Sequence, residues 1–149
     1  MTQTLDHLYQ AVQATRPLLR NITAAVEQGS RRHGVTVGQR AILEGLFLHP
    51  DATAPLLGSE LQMKRQYVAR VLQEVVTAEL VEKLPNPDRA RSWRYRLTAK
   101  GKDVISAIRA DETSKLIAFA EGQTTEDLDA FCRLQITLTQ YFALLAKES

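Results

Sequence analysis

Residues 56–98 read LLGSELQMKRQYVARVLQEVVTAELVEKLPNPDRARSWRYRLT, and their pattern decides the fold. A short segment, Leu56 to Gln62, precedes a longer one, Lys64 to Ala78, in which Val68, Val71, Leu72 and Val75 form one apolar stripe at helical spacing. This predicts a helix, a tight turn and a second helix. Val81 to Leu84 and Ser92 to Leu97 are short enough to be strands. The PNPDRAR loop between them is stiffened by two prolines and carries two arginines, which predicts a hairpin with a basic tip. In the second strand Trp93, Tyr95 and Leu97 alternate with Arg94 and Arg96, so one face is expected to pack on the core while the other presents cations.

With its apolar stripe buried, the 64–78 helix leaves Lys64, Arg65, Gln66, Ala69, Arg70 and Gln73 outside. Gln66, Arg70 and Gln73 share a face whose chemistry suits a DNA major groove. Arginine can donate two hydrogen bonds to guanine, glutamine can pair with adenine, and a small Ala69 lets the backbone come close. Lys64 and Arg65, at the helix start, would reach phosphates or base edges. Tyr67 sits at the boundary, free to bond a phosphate or to pack inward. Arg89 and Arg91 at the hairpin tip are placed to enter a neighbouring minor groove, with Arg94 behind them. A two-helix turn followed directly by a basic hairpin reads as a winged helix-turn-helix.

The charge distribution agrees. From Lys64 to Lys102 there are ten basic residues against four acidic ones, a segment of +6, so the rest of a chain of net charge +2 carries −4. A basic middle between acidic arms is a polarity expected of something that approaches a polyanion. The arms read as helices. Leu5, Leu8, Val12, Leu19, Ile22 and Val26 predict an amphipathic helix from residue 5 to about 28, with Pro17 expected to kink it or to break it into a pair of helices meeting near Arg16. Thr36 is placed to cap a helix to Leu48 with Val37, Ile42, Leu43, Leu46 and Phe47 inward, after which HPDATAP is a loop. Thr98 can cap another helix through about Glu121, with Val104, Ile105, Ile108, Leu116 and Phe119 apolar. Gly122 ends it, and a last helix begins at Thr124, spaced to Asp127 as in a capping box, with Leu128, Phe131, Leu138, Phe142 and Leu145 on one face. The fold class is thus mainly α with a small β-hairpin.

At 149 residues, with 44% hydrophobic content, the chain is expected to make one domain. It has no signal pattern and no apolar run of about 18 residues, so a cytoplasmic protein without membrane contact is expected. Cys132 is the only cysteine, which excludes an intramolecular disulfide; beside Ile136 it reads as a packed small hydrophobe. His7, His33 and His49 are too widely spaced to suggest a metal site. Phosphate-cradling, H-E-x-x-H and Ser/His/Asp patterns are lacking, so no catalytic residue, enzyme activity or cofactor is expected.

Three stretches, GVTVGQRAILEGL (34–46), residues 56–84, and PDRARSWRYRLTAKG (87–101), resemble the multiple-antibiotic-resistance regulator (MarR) family of dimeric winged-helix transcription factors. LTAKG, Leu97 to Gly101, matches that family's Leu-Thr-x-x-Gly after the wing. Arg91 stands where the family's wing arginine stands, six residues before Leu97. The family's accompanying aspartate is replaced by Arg89, and Asp88 lies one residue earlier.

The resemblance implies a DNA-binding lobe at 36–98, helical dimerisation regions at 1–30 and 99–149, and a homodimer on a pseudo-palindromic operator of double-stranded DNA, acting as a repressor. It also implies control by a small aromatic or anionic effector, for which Arg16, Arg20 and His33 are the polar candidates on the first helix and its border. Redox-sensing members place the reactive cysteine in the N-terminal helix, where this chain has none. Two other readings stand beside this one: a winged-helix module that dimerises or docks a protein, and a redox- or metal-responsive DNA-binding sensor.

Overall fold

The structure, a computed structural model, describes residues 2–148. Among them are six helices and one hairpin: α1 (Gln3–Arg32), α2 (Val37–Leu48), α3 (Ala54–Leu61), α4 (Arg65–Thr77), β1 (Val81–Pro85), β2 (Trp93–Leu97), α5 (Ala99–Glu121) and α6 (Thr125–Lys147). The chain divides into two compact units at Asp111, within α5.

In the first unit one core joins α2 to α5. Ile42, Leu43 and Leu46 of α2, Leu57 of α3, the Val68, Val71, Leu72 and Val75 stripe of α4, and Ile105 and Ile108 of α5 are all almost fully buried. Each such side chain stabilises the fold by about 1.5–3 kcal/mol through removal from water. Leu80, Val81 and Leu97 extend the core under the hairpin.

The helix starts are written in the sequence. Thr36 and Gln39 form a reciprocal capping box on α2, and Thr53 accepts from the Leu56 amide at the start of α3. The α3–α4 turn passes through Gln62 in the left-handed region (φ 52°) and closes with the Met63 amide on the Gly58 carbonyl.

The hairpin is antiparallel, pairing Val81 with Leu97 through Pro85 with Trp93. Its root is fixed from three sides. The Tyr95 amide donates to the Ala52 carbonyl at 2.9 Å, the Thr98 amide to the Leu80 carbonyl at 3.0 Å, and the Thr98 hydroxyl to the Glu79 carbonyl at 2.7 Å. Thr98 Oγ1 also accepts from the Gly101 amide at 3.1 Å, capping α5. A Cβ on Gly101 would stand 1.9 Å from the Leu80 carbonyl oxygen, which is the physical reason a glycine closes LTAKG.

Three expectations are corrected in the first unit. α1 runs unbroken through Pro17 and stops at Arg32, capped by Thr2, so no second helix begins near Arg16. Proline withholds one backbone donor yet leaves the i→i−4 bonds on either side of it. Phe47 is exposed rather than inward, its ring lying 4.4 Å from the Arg109 guanidinium. Trp93 is also exposed, covered on one face by the Lys83 ammonium at 4.4 Å, because it pairs with Pro85 at the far end of the ladder, beyond the reach of the core.

In the second unit α6 starts at Thr124, whose hydroxyl accepts from the Asp127 amide at 3.1 Å. None of the described α6 residues is buried, and Leu128, Phe131, Leu134, Ile136, Phe142 and Leu145 are all exposed. Cys132 is exposed too, so it is not packed within the chain as a small hydrophobe.

Candidate nucleic-acid interface

Burial of one stripe of α4 decides what its other face can do. Lys64, the N-cap, and Arg65, Gln66, Ala69, Arg70 and Gln73 are all exposed. Lys64 has no acceptor to cap the first-turn amides, so those amides and its ammonium are left together at the end of the helix where the dipole is positive and anions are favoured. Tyr67 remains exposed, and its hydroxyl lies against α2, 2.2 Å from where a Cβ on Gly38 would stand. Arg70 lies over the Tyr67 ring at 5.1 Å and keeps a side-chain exposure of 65%.

The wing divides its arginines into two kinds. Its tip is closed by the Asn86 amide on the Ser92 carbonyl at 3.1 Å, the Asn86 side chain on the Ser92 hydroxyl at 3.1 Å, and the Asp88 amide on Asn86 Oδ1 at 3.0 Å. Arg89 and Arg91 project from this turn, exposed and without an ion pair among the described residues, Arg91 with a left-handed backbone (φ 61°). A non-glycine residue held there costs about 1–3 kcal/mol, and the Asn86–Ser92 clasp beside it holds the turn that keeps it so.

Arg94 and Arg96 are engaged. Asp88 pairs with Arg94, so the wing's internal salt bridge exists but joins the tip to the strand rather than to Arg91. Arg96 makes a bidentate contact to Asp51, at 2.8 and 3.1 Å, and lies 3.9 Å from Glu82. That hydrogen bond, followed by the charges of Arg96 and Arg94, outweighs burial and holds the Asp51 carboxyl below the usual carboxylate range. Burial pushes the Tyr95 phenol up. The cationic face expected of β2 is therefore neutralised by acids, one of them 45 residues away in sequence.

The three effector candidates do not converge. Arg16 and Arg20 are exposed on α1, Arg16 bonded to Gln13, and His33 caps the helix with its Nε2 3.9 Å from Asp111. At about 1.5 Å of rise per residue, Arg16 lies roughly 25 Å along the axis from His33, too far for one small molecule to touch both within a chain. The first unit does hold a cleft of about 350 Å³, where Leu46, Phe47 and Pro50 at the end of α2 meet Arg96 of the wing and Lys102 and Ser106 of α5. None of the three candidates lines it. Among the described residues no group of three His, Cys, Asp or Glu side chains is gathered as for a metal ion, and no helix is long and apolar enough to cross a membrane.

A two-helix turn that buries one stripe of its second helix, with a hairpin rooted beside it, defines a winged helix-turn-helix protein. The crystal structure of a MarR family transcription regulator matches this chain with 63% sequence identity over 100% of this chain and 99% of that one, at a TM-score of 0.85. The chain belongs to the MarR family of transcription regulators. Two further structures share the fold: Streptococcus pneumoniae FabT in complex with DNA (18% identity, 92% and 99% covered, TM-score 0.75), and Streptomyces coelicolor PcaV in complex with its natural ligand (20% identity, 83% and 89% covered, TM-score 0.66). No family model and no curated protein matches the sequence.

Proposed function

We propose that this protein is a cytoplasmic homodimeric repressor. Its two α4 helices enter successive major grooves of a pseudo-palindromic operator, and the tips of its wings reach the flanking minor grooves. The observation that carries this is the exposed face of α4, where Gln66, Arg70 and Gln73 stand outward over a buried valine and leucine stripe. Base reading falls to those three, with Ala69 allowing close approach, and phosphate contact to Lys64 and Arg65. Arg89 and Arg91 are the wing contacts, Arg94 holds the tip through Asp88, and Tyr67 stands beside Arg70 at the edge of the reading face. The DNA complex of FabT, which shares this fold, supports the reading.

The dimer is supported by α6, which as a single chain leaves most of its apolar face exposed, a surface large enough to demand a partner. Residues 1–30 and 99–149 are the regions assigned to it, and 36–98 to the DNA. An effector would bind in the apolar cleft beside Phe47 and Lys102, with the ammonium of Lys102 suited to an anionic group. PcaV, of the same fold and solved with its natural ligand, supports control by a small molecule. Release would follow from a changed separation of the two α4 helices, since a dimer spaced wrongly cannot place both in register.

The test is retardation of a duplex selected from a random pool by the protein itself, against mixed-sequence DNA. A selected site with two-fold symmetry and a marked preference over mixed DNA is expected. Equal binding of both duplexes would defeat the proposal in favour of a protein-docking module.

A further inference from the structure

A carboxylate beside the reading face of a DNA-binding helix needs a reason, because it repels phosphate. Glu74 is such a group, one turn beyond Arg70 on α4. Its two oxygens are turned to different partners. The side-chain amide of Gln39 donates to Oε1 at 3.1 Å, across 35 residues of sequence, while Oε2 lies 4.0 Å from Arg70 Nη1.

On the other side of Arg70 stands the Tyr67 ring, 5.1 Å from the guanidinium carbon. Tyr67 is held as well, since its hydroxyl occupies the place beside Gly38 that any side chain at 38 would take. The two neighbours of Arg70 are thus anchored on consecutive residues, Gly38 and Gln39, in the first turn of α2. That turn is fixed in its own right: the Gln39 side-chain oxygen accepts from the Thr36 amide at 3.1 Å, and Thr36 Oγ1 accepts from the Gln39 amide at 3.1 Å.

Building on the base-reading role given to Arg70 above, we propose that Gln39 and Glu74 are positioning residues for base readout. Gln39 holds Glu74, and Glu74 with Tyr67 sets the Arg70 guanidinium in one orientation before DNA arrives. An exposed i,i+4 ion pair adds little to stability, so the contact is best understood through orientation. A guanidinium fork recognises guanine only when its plane meets both acceptors. Immobilising a long side chain at an interface typically weakens binding roughly two- to tenfold, and an arginine already held avoids some of that loss. The first turn of α2, outside the reading helix, therefore contributes to sequence preference without touching a base.

The experiment compares the parent with Arg70→Ala, Glu74→Gln, Gln39→Glu and Gln39→Met on a panel of single-base variants of the selected duplex. Thermal melting confirms that each protein is folded. Gln39→Glu keeps an acceptor for the capping box and removes the donor to Glu74; Gln39→Met removes the donor without adding a charge. Arg70→Ala locates the base pair that Arg70 reads, by a loss of discrimination of about five- to 150-fold there.

The expected result is that Glu74→Gln and both Gln39 variants lose discrimination at that same base pair, roughly two- to tenfold. Glu74→Gln is also expected to bind mixed-sequence DNA more tightly, a repelling charge being gone. If Arg70→Ala relaxes one position while the other variants discriminate as the parent does, the brace is wrong and the base-reading role of Arg70 stands. Relaxation by Glu74→Gln at a different base pair would also overturn it, making Glu74 a base contact. If Arg70→Ala itself discriminates like the parent, the underlying reading of α4 fails.

Discussion

The recognition helix and the wing are both rich in arginine, yet the fold uses the two sets in opposite ways. On α4, Arg65 and Arg70 stand in water, and Glu74, which pairs with Arg70, is itself held by Gln39. On β2, Arg94 and Arg96 are bound to Asp88 and Asp51, and only Arg89 and Arg91 at the tip face outward without an ion pair among the described residues. The number of cations in a segment thus says little about how many can meet a phosphate. An arginine held bidentately by a carboxylate, as Arg96 is by Asp51, is scaffold: it ties the hairpin to the α2–α3 loop so that the tip arginines are carried on a fixed base.

The strongest way to break this contrast is to detach the wing from its root. Gly101→Ala forces a Cβ into the Leu80 carbonyl, and backbone cannot give way as a flexible side chain would. A loss of about 3 kcal/mol in urea unfolding is expected, with unchanged stability counting against the packing described. Next comes the recognition face itself. Arg70→Ala is expected to cost about 1–3 kcal/mol of affinity per half-site of the selected duplex and to relax one base pair in each half-site, read by titration. A uniform loss across all sequences would make Arg70 a phosphate contact instead.

The smallest effect concerns the scaffold arginine. Asp51 has a folded-state pKa below its unfolded one, so its bond to Arg96 contributes stability above the unfolded value of about 3.9 and loses it as pH falls through the lower folded value. The difference in melting temperature between the parent and Asp51→Asn is therefore expected at pH 7 and should vanish in acid. A difference that does not shrink as pH falls below the unfolded value would mean that the carboxylate charge is not what matters.

Much of the interface is legible in the sequence because it depends on local spacing. The α4 stripe, the capping threonines at 36, 98 and 124, the two-proline hairpin loop and LTAKG all act within a few residues of one another. What is not legible depends on distant partners. Nothing near Arg96 shows that Asp51 will neutralise it, and period two alone places Trp93 in a core that the end of the hairpin does not reach. Arg70 and Glu74 are spaced i,i+4, so their pairing could be read from the sequence, but the Gln39 contact that makes it meaningful spans 35 residues. Pro17 is a different case, a strong local signal for a break that the continuous helix overrides.

The division of the wing into contact and scaffold arginines is tested most directly by salt dependence. The slope of log affinity against log salt should fall in magnitude by about 0.9 for each phosphate contact removed. Arg91→Ala removes one contact from each protomer of the proposed dimer and is expected to lower the slope by about 1.8, and Arg96→Ala to leave it unchanged. A flat slope in the parent, or equal losses in the two variants, would contradict that division.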